Sequence, residues 1–435
     1  MNLRVTDGTT TVNLDGGTAG VTGCTYFPLP GERKAASVTE TARLVARGTA
    51  SATVRSATTT LQRLIEQAER IRDGDAGAPV YVEYRPVSTD DYYRSRLLGG
   101  QVVWSEDPGA RRIKDTNPPL QFAFVFEREV GWDGPETELQ LSAASQSAAT
   151  GGRTLTNGAN SWATIASGQV AGDMPAALRL ELTNTAGGGR AYDNLWLALN
   201  AEHDPANFTY FVEGETASGG SSESNANCSG GSARSVTVNT SATLTFTLTA
   251  ANMQRTRGGR FALIGRFESL SGPGVSVRPE LQVGGQTVWR AMEPWVLNRT
   301  SAQLSMLGVV PLPPQSWDAT PNAAITLLLR FETSVSRTVL LDYIAFFPAR
   351  NLRILTLMGQ SVANNDVVVD NGIEGWAGVR SSSAIQASVM ARRKPLMVRP
   401  NMTQRIYLLH STGTGCVVAD TVSLRAWYRP RRRVV

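Results

Sequence analysis

Apolar and polar positions alternate like antiparallel strands over residues 1 to about 55, strand-like runs recur along the rest of the chain, and only one stretch turns helical. Leu61, Leu64, Ile65, Ala68 and Ile71 follow the i, i+3, i+4, i+7 spacing of a helix with one buried face. Thr59-Thr60-Leu61-Gln62 fits a capping box, Arg70 and Arg72 fall in the last turn, and Gly74 supplies a stop. After Gly77 the period becomes two: 79–84 predicts a strand, Ser88-Thr89-Asp90-Asp91 a turn, and 97–104 a second strand. Upstream, 10–14, 24–29 and the alternating Val38, Glu40, Ala42, Leu44 and Ala46 read as strands. Downstream, Asn117-Pro118-Pro119 punctuates the chain before the aromatic strand 120–126.

Beyond residue 135 no further helix is predicted. Strand patterns recur at 162–165, 178–182, 195–199, 210–215, 244–248, 261–267, 276–283, 325–331, 339–346, 352–357, 404–409 and 422–431. Small polar residues over 141–160 predict a linker or a polar edge, and 219–231 a flexible loop. The expected class is mainly β: an N-terminal β-sandwich with one α-helix (1–135), a β-rich connecting region (136–205), a central jelly-roll β-sandwich (206–348) and a C-terminal β segment (349–435).

Composition agrees with this pattern. Hydrophobic residues make up 41% of the 435 positions and charged ones 18%, with 41 glycines and 21 prolines, which suits many short strands joined by turns. The net charge of +5 is small and dispersed, so nucleic acid is not an expected partner. Lysine occurs only at Lys34, Lys114 and Lys394; the arginine excess fits either a GC-rich genome or interfaces that use the planar guanidinium. Cys24, Cys228 and Cys416 are too far apart for a zinc site and odd in number, so isolated reduced thiols are expected. No apolar run is long enough for a membrane helix, and Met1-Asn2-Leu3-Arg4-Val5 lacks a signal-peptide core. The expectation is a soluble product made in a cytoplasm, without membrane insertion and not exported by the usual route. The two histidines, His203 and His410, lie outside any hydrolase or metalloprotease motif, and the glycine runs precede no phosphate-binding helix. A non-enzymatic role is expected.

The order of short strands, the helix at 61–71, Val80-Tyr81-Val82-Glu83-Tyr84, Arg94-Ser95-Arg96-Leu97-Leu98-Gly99-Gly100 and a Phe-rich strand resembles tail proteins of long-tailed bacteriophages, most of all the ring-forming distal tail (baseplate hub) proteins. Gly172-Asp173-Met174-Pro175-Ala176 before a strand, and the closing Tyr428-Arg429-Pro430-Arg431, are similar to stretches of such proteins too. The resemblance implies a virion structural protein, assembled in the host cytoplasm as a homo-oligomeric, hexameric ring, with tail tube and tail tip proteins as partners. A tail tube subunit is the alternative within that class.

The ends of 206–348 are similar to jelly-roll carbohydrate-binding modules, which open with a Glu-x-Glu strand, here Glu213-Gly214-Glu215, and close as Leu341-Asp342-Tyr343-Ile344 does. That resemblance implies a structural calcium with Glu213, Glu215 and Asp342 as ligands; the alternative is three ordinary exposed acids. Trp289, Trp295 and Trp317 are candidate stacking faces for a host-surface glycan, or else plugs of a sandwich core or subunit contact. A lectin-like or fibre-type carbohydrate-binding protein is therefore the second functional reading.

Overall fold

The computed structural model describes residues 2–16, 21, 23–29, 36–46, 51–104, 120–185, 187–200, 211–248, 259–312, 325–382, 384–412 and 415–435. It is mainly β and divides into two compact units, each built from segments distant in sequence. The first comprises Met1–Thr137, Ala171–Pro175 and Arg429–Val435; the second comprises Glu138–Val170 and Ala176–Tyr428.

In the first unit seven strands of a 9-stranded sheet run in the order Thr11–Asn13, Asn2–Thr6, Tyr81–Arg85, Tyr93–Trp104, Leu120–Glu129, Ser37–Ala46, Gly23–Thr25, all antiparallel, and Trp132–Asp133 and Arg431–Arg432 join off this path. Tyr93–Trp104 serves both halves: residues 93–96 pair with Tyr81–Arg85, and residues beyond a register shift at Leu97/Gly99 pair with Leu120–Glu129. A bulge of this kind bends a strand and wraps the sheet around its core. The helix Ser51–Arg72 lays Leu61, Leu64, Ile65 and Ala68 into that core beside Leu3, Val82 and Phe124. Gly99 admits the helix, because a Cβ there would lie 2.9 Å from Glu69 Oε1. The helix stops where expected. Gly74 has φ +112°, and Asp75 N–H bonds Arg70 O at 3.0 Å while Gly74 N–H bonds Ile71 O, a Schellman closure. Its start at Ser51 lies well upstream of the Thr59 box, since Ser and Thr are tolerated once packing supplies the stability.

Both later segments of this unit strap onto it. Arg431–Arg432 pairs with Trp132–Asp133, and Gly172-Asp173-Met174 hydrogen-bonds along Arg431, with Arg433 N–H donating to Asp173 Oδ1 at 3.0 Å. Among the terminal arginines, Arg431 lies 3.4 Å from Glu129 and 3.6 Å from Asp133, and Arg429 lies 3.6 Å from Glu136. These two charges are thus used within the unit.

The second unit contains two sandwiches. In one, a 7-stranded sheet (Gln146–Ala149, Leu141–Ala143, Trp162–Ile165, Gln404–Thr412, Arg190–Asn200, Leu352–Val362, Met390–Arg392) faces an 8-stranded sheet containing Arg153–Thr156, Thr421–Tyr428, Ala176–Asn184, Val367–Asn371, Trp376–Ser381 and Ala384–Ser388. Leu180, Leu197, Leu355, Leu408 and Leu424 fill its core. Between the paired strands Arg190–Asn200 and Leu352–Val362 the chain leaves to build the jelly roll. A 6-stranded sheet centred on Arg337–Pro348 and Arg260–Leu270 covers a 5-stranded sheet of Ser241–Leu248, Ile325–Glu332, Val275–Val283, Gln286–Arg290 and Trp295–Leu297. The chain path is a nested insertion, a jelly roll within a sandwich within the first unit.

Three expectations change in detail. Residues 141–160 form the strands Leu141–Ala143, Gln146–Ala149 and Arg153–Thr156 rather than a linker, because backbone pairing to Trp162–Ile165 and Thr421–Tyr428 needs no large side chains. The polar stretch 219–231 is ordered by its own turns: Cys228 N–H to Asn225 O, Asn225 N–H to Gly231 O and Gly231 N–H to Cys228 O. The boundary expected at 205/206 lies outside the described residues, while Phe347 and Leu352, on either side of 348/349, share one core cluster. Arg337–Pro348 is buried along nearly its whole length, so both of its faces are covered. Phe347 packs on Tyr407 of the other sandwich with centroids 5.7 Å apart, and Trp196 and Leu409 belong to the same cluster.

Candidate functional site

Two places in the second unit gather chemistry. The first is the acidic cluster around Asp342. The pairing of Arg260–Leu270 with Arg337–Pro348 shifts between Arg266↔Tyr343 and Phe267↔Leu341, leaving Asp342 as the extra residue of a bulge. Glu213 pairs opposite Tyr343, and the 3-10 turn Gly214–Thr216 places Glu215 next to it. A Cβ on Gly230 would lie 3.7 Å from Glu215 Oε1 and 3.8 Å from Glu213 Oε1, so both carboxylates flank that glycine.

Both Asp342 oxygens are engaged. Oδ1 accepts Ser229 N–H at 2.8 Å, and Oδ2 accepts Arg266 Nη1 at 2.5 Å. Arg266 also donates to Glu268 at 2.6 Å and to Cys416 O at 2.7 Å, and both Arg266 and Asp342 are 0% exposed. Burial pushes the Asp342 carboxyl up to about 7 against the pull of Arg266, whereas Arg266, which burial alone would lower, is lifted by its surroundings. The 2.5 Å contact decides for the ion pair, because a neutral Asp342 would leave a buried guanidinium poorly compensated. Glu213 is raised by burial and by the charge of Glu215, against the lowering hydrogen bond from Ser229.

The residues meet the implied calcium only in part. Glu213 Oε2 and Glu215 Oε2 are buried without a hydrogen-bond partner, which suits a cation. Asp342 has no free oxygen, and among the described residues no group of three or more acidic, His or Cys side chains is disposed to hold a metal ion. The structure therefore brings Glu213, Glu215 and Asp342 into one cluster but not into one ligand set. Arg266, which carried no signal in the sequence, supplies the positive charge at Asp342. Cys228 and Cys416 nearby are free, and burial pushes both thiols up to about 12, so they behave as packing residues.

The second place is a groove of about 370 Å³, within the roughly 300–1,000 Å³ range of small-molecule sites. Trp295 and Val296 form one wall from the outer strand Trp295–Leu297. Arg299, Ser305 and Met306 belong to the turn and edge strand that follow, and Asp193, Trp196, Ile354, Arg392 and Ser411 come from the neighbouring sandwich. Trp295 is 46% exposed, a ring face available to a ligand. Trp289 is partly buried and packs against the jelly-roll core, so it does not extend that face. Trp317 lies outside the described residues. Asp193, Trp196, Arg299 and Arg392 left no trace in the sequence reading because they are spread over two hundred positions and meet only through the insertion.

No protein-family model matches the sequence, and no curated protein matches it significantly. Among solved structures, the chain is similar to an exo-β-1,3-galactanase from Phanerochaete chrysosporium, crystallised with β-1,3-galactotriose, at 11% identity over 74% of this chain and 84% of that one, with a TM-score of 0.20. It is also similar to the SPP1 Dit protein, described as a paradigm of the hub adsorption apparatus in phages infecting Gram-positive hosts, at 10% identity over 79% of this chain and 99% of that one, TM-score 0.18. Likeness at this level carries no functional argument. The fold itself defines the class: a mainly β protein of nested sandwich and jelly-roll layers with a single helix among the described residues. Among the described residues no helix is long and apolar enough to cross a membrane.

Proposed function

We propose that the chain is a non-enzymatic structural protein of a long phage tail, a distal-tail ring subunit joining tube to tip in the virion, whose second unit binds host-surface glycan. The nested chain path supports this reading. A small α+β unit, the part that resembles ring-forming tail proteins, holds both chain ends, while the inserted layers carry a tryptophan-walled groove. Such a division lets one unit assemble while the other varies with its ligand. Native mass spectrometry and negative-stain microscopy of the full chain test it: closed rings of one subunit number support it, and open-ended tubes indicate a tube subunit instead. A strict monomer that still binds oligosaccharide indicates the second reading, a fibre-type carbohydrate-binding protein, which the groove favours. The calcium implied by the module resemblance is not part of this proposal, because Arg266 already holds Asp342.

A further inference from the structure

We infer that the Trp295 groove selects an acidic saccharide, stacking a sugar ring on Trp295 and pairing its carboxylate or phosphate with Arg392. The inference rests on the glycan reading above and deepens it. The lining carries Arg299 and Arg392 against Asp193. Asp193 is committed to Arg299, at 3.4 Å, and Arg299 also donates to Thr412 O at 3.4 Å. Arg392 is exposed and has no carboxylate partner among the described residues. Its backbone is nonetheless set in register, because Met390–Arg392 pairs with Leu352–Val362 and places Arg392 opposite Ile354, another lining residue. An exposed guanidinium on a backbone set in register at the groove wall, with no carboxylate partner among the described residues, is available to a planar carboxylate or a phosphate.

The remaining wall suits a sugar rather than a wholly apolar ligand. Trp295 offers a flat π face, and Trp196 and Ile354 supply apolar depth. The Oδ1 of Asp193, left over from the contact of its Oδ2 with Arg299, and Ser411 give an acceptor and a hydroxyl for sugar hydroxyl groups, and Asn194 is held in place by Thr356 Oγ1 donating to its Oδ1 at 2.9 Å. A neutral glycan would use the stacking face and leave Arg392 in water. An acidic one gains the ion pair at a partly enclosed site, where screening is weaker than on an open surface.

The test is isothermal titration of the full chain with trigalacturonate, with galactose 6-phosphate and with neutral galactotriose, the first two separating carboxylate from phosphate. The expected result is that at least one acidic probe binds about tenfold or more tightly than galactotriose. Its affinity should fall comparably in Arg392→Gln and in Trp295→Ala, and weaken as salt is raised. Both side chains are exposed, and unchanged unfolding midpoints confirm that the variants fold. Equal affinity for galactotriose, or an unchanged Arg392→Gln, overturns the acidic preference while leaving glycan binding in place. No binding of any probe overturns both.

Discussion

Each of the two units buries an arginine against a carboxylate, and the two sites differ in what surrounds the pair. In the first unit Arg128 meets Glu40 in a two-pronged contact of 2.6 and 2.8 Å, with both groups essentially unexposed. Tyr26 O–H and Leu29 N–H donate to the same carboxylate, Arg128 donates to Glu129 O and Leu29 O, and its guanidinium lies 4.3 Å from the Trp132 ring centroid. One charge faces one charge, and the donors are used. In the second unit Arg266 faces Asp342 and Glu268, with Glu213 and Glu215 close by and one oxygen of each without a partner. The first arrangement is closed and structural: it ties the 26–29 segment to the strands Ser37–Ala46 and Leu120–Glu129. The second carries more negative than positive charge, and burial together with the charge of Glu215 raises the pKa of Glu213.

The largest expected effect breaks the closed site. Arg128→Met leaves Glu40 buried without a counter-charge and should cost about 3–5 kcal/mol, read from the first unit's denaturant midpoint. Added calcium should not recover it, because the remaining partners of Glu40 are a hydroxyl and a backbone N–H. Arg266→Met removes the only guanidinium paired with Asp342 among the described residues and should also destabilise its unit strongly. Here millimolar calcium should restore part of the loss, since Asp342 would then be free to join Glu213 and Glu215 around a cation. If calcium rescues both variants or neither, the contrast between the two sites fails.

A third effect sharpens the comparison through pH. His410 is buried beside Tyr192, with ring centroids 5.5 Å apart, and burial pulls its pKa down to about 3 from the usual 6.5. The unfolded chain then binds a proton that the folded chain refuses, so stability is lost as pH falls below about 6.5 and continues to fall towards 3. From pH 6.5 to 4 His410 alone should contribute a loss of about 3 kcal/mol, at about 1.4 kcal/mol per pH unit. It is read as the difference between the unmodified chain and its His410 variant, because the raised carboxyl of Asp342 in the same unit acts in the opposite direction. His410→Gln should flatten that slope in a pH series of denaturation curves, while the first unit's transition keeps its own pH dependence.

A smaller effect is expected at Glu280. Hydrogen bonds from Arg330, and from Thr287, Gln282 and Arg290, hold its carboxyl far below the ordinary range. Arg290 is half exposed, so Arg290→Ala should cost less than about 1 kcal/mol, with Arg330 remaining.

The two sites also show how far the sequence could be read. The helix was legible because Leu61, Leu64, Ile65 and Ala68 repeat at its own period, and the strands because Val80 to Tyr84 and Leu120 to Phe126 show sheet-type patterning. The strands at 141–156 were legible only as a linker or a polar edge, because their pairing is made largely by backbone and only Leu141, Ala143 and Leu155 among many small polar residues enter the core. The Asp342 cluster was half legible: its acids mark the ends of one domain, whereas nothing beside Arg266 in the apolar run from Phe261 to Phe267 marks it as the partner of an acid far away in sequence. Nothing local distinguishes Arg128 from Arg96, although one is fully buried and the other is not. Charge pairing across strands and the Trp295 groove depend on register and on the nested insertion, which no window of adjacent residues records.

The claim that an arginine stands where a cation was expected is tested most directly by calorimetric unfolding of the unmodified full chain in excess chelator and in millimolar calcium. The account predicts one unchanged midpoint for the second unit in both solutions, because Arg266 and the Ser229 N–H already occupy Asp342. A midpoint that rises with calcium and falls with chelator would contradict it and return Asp342, with Glu213 and Glu215, to the role of metal ligand.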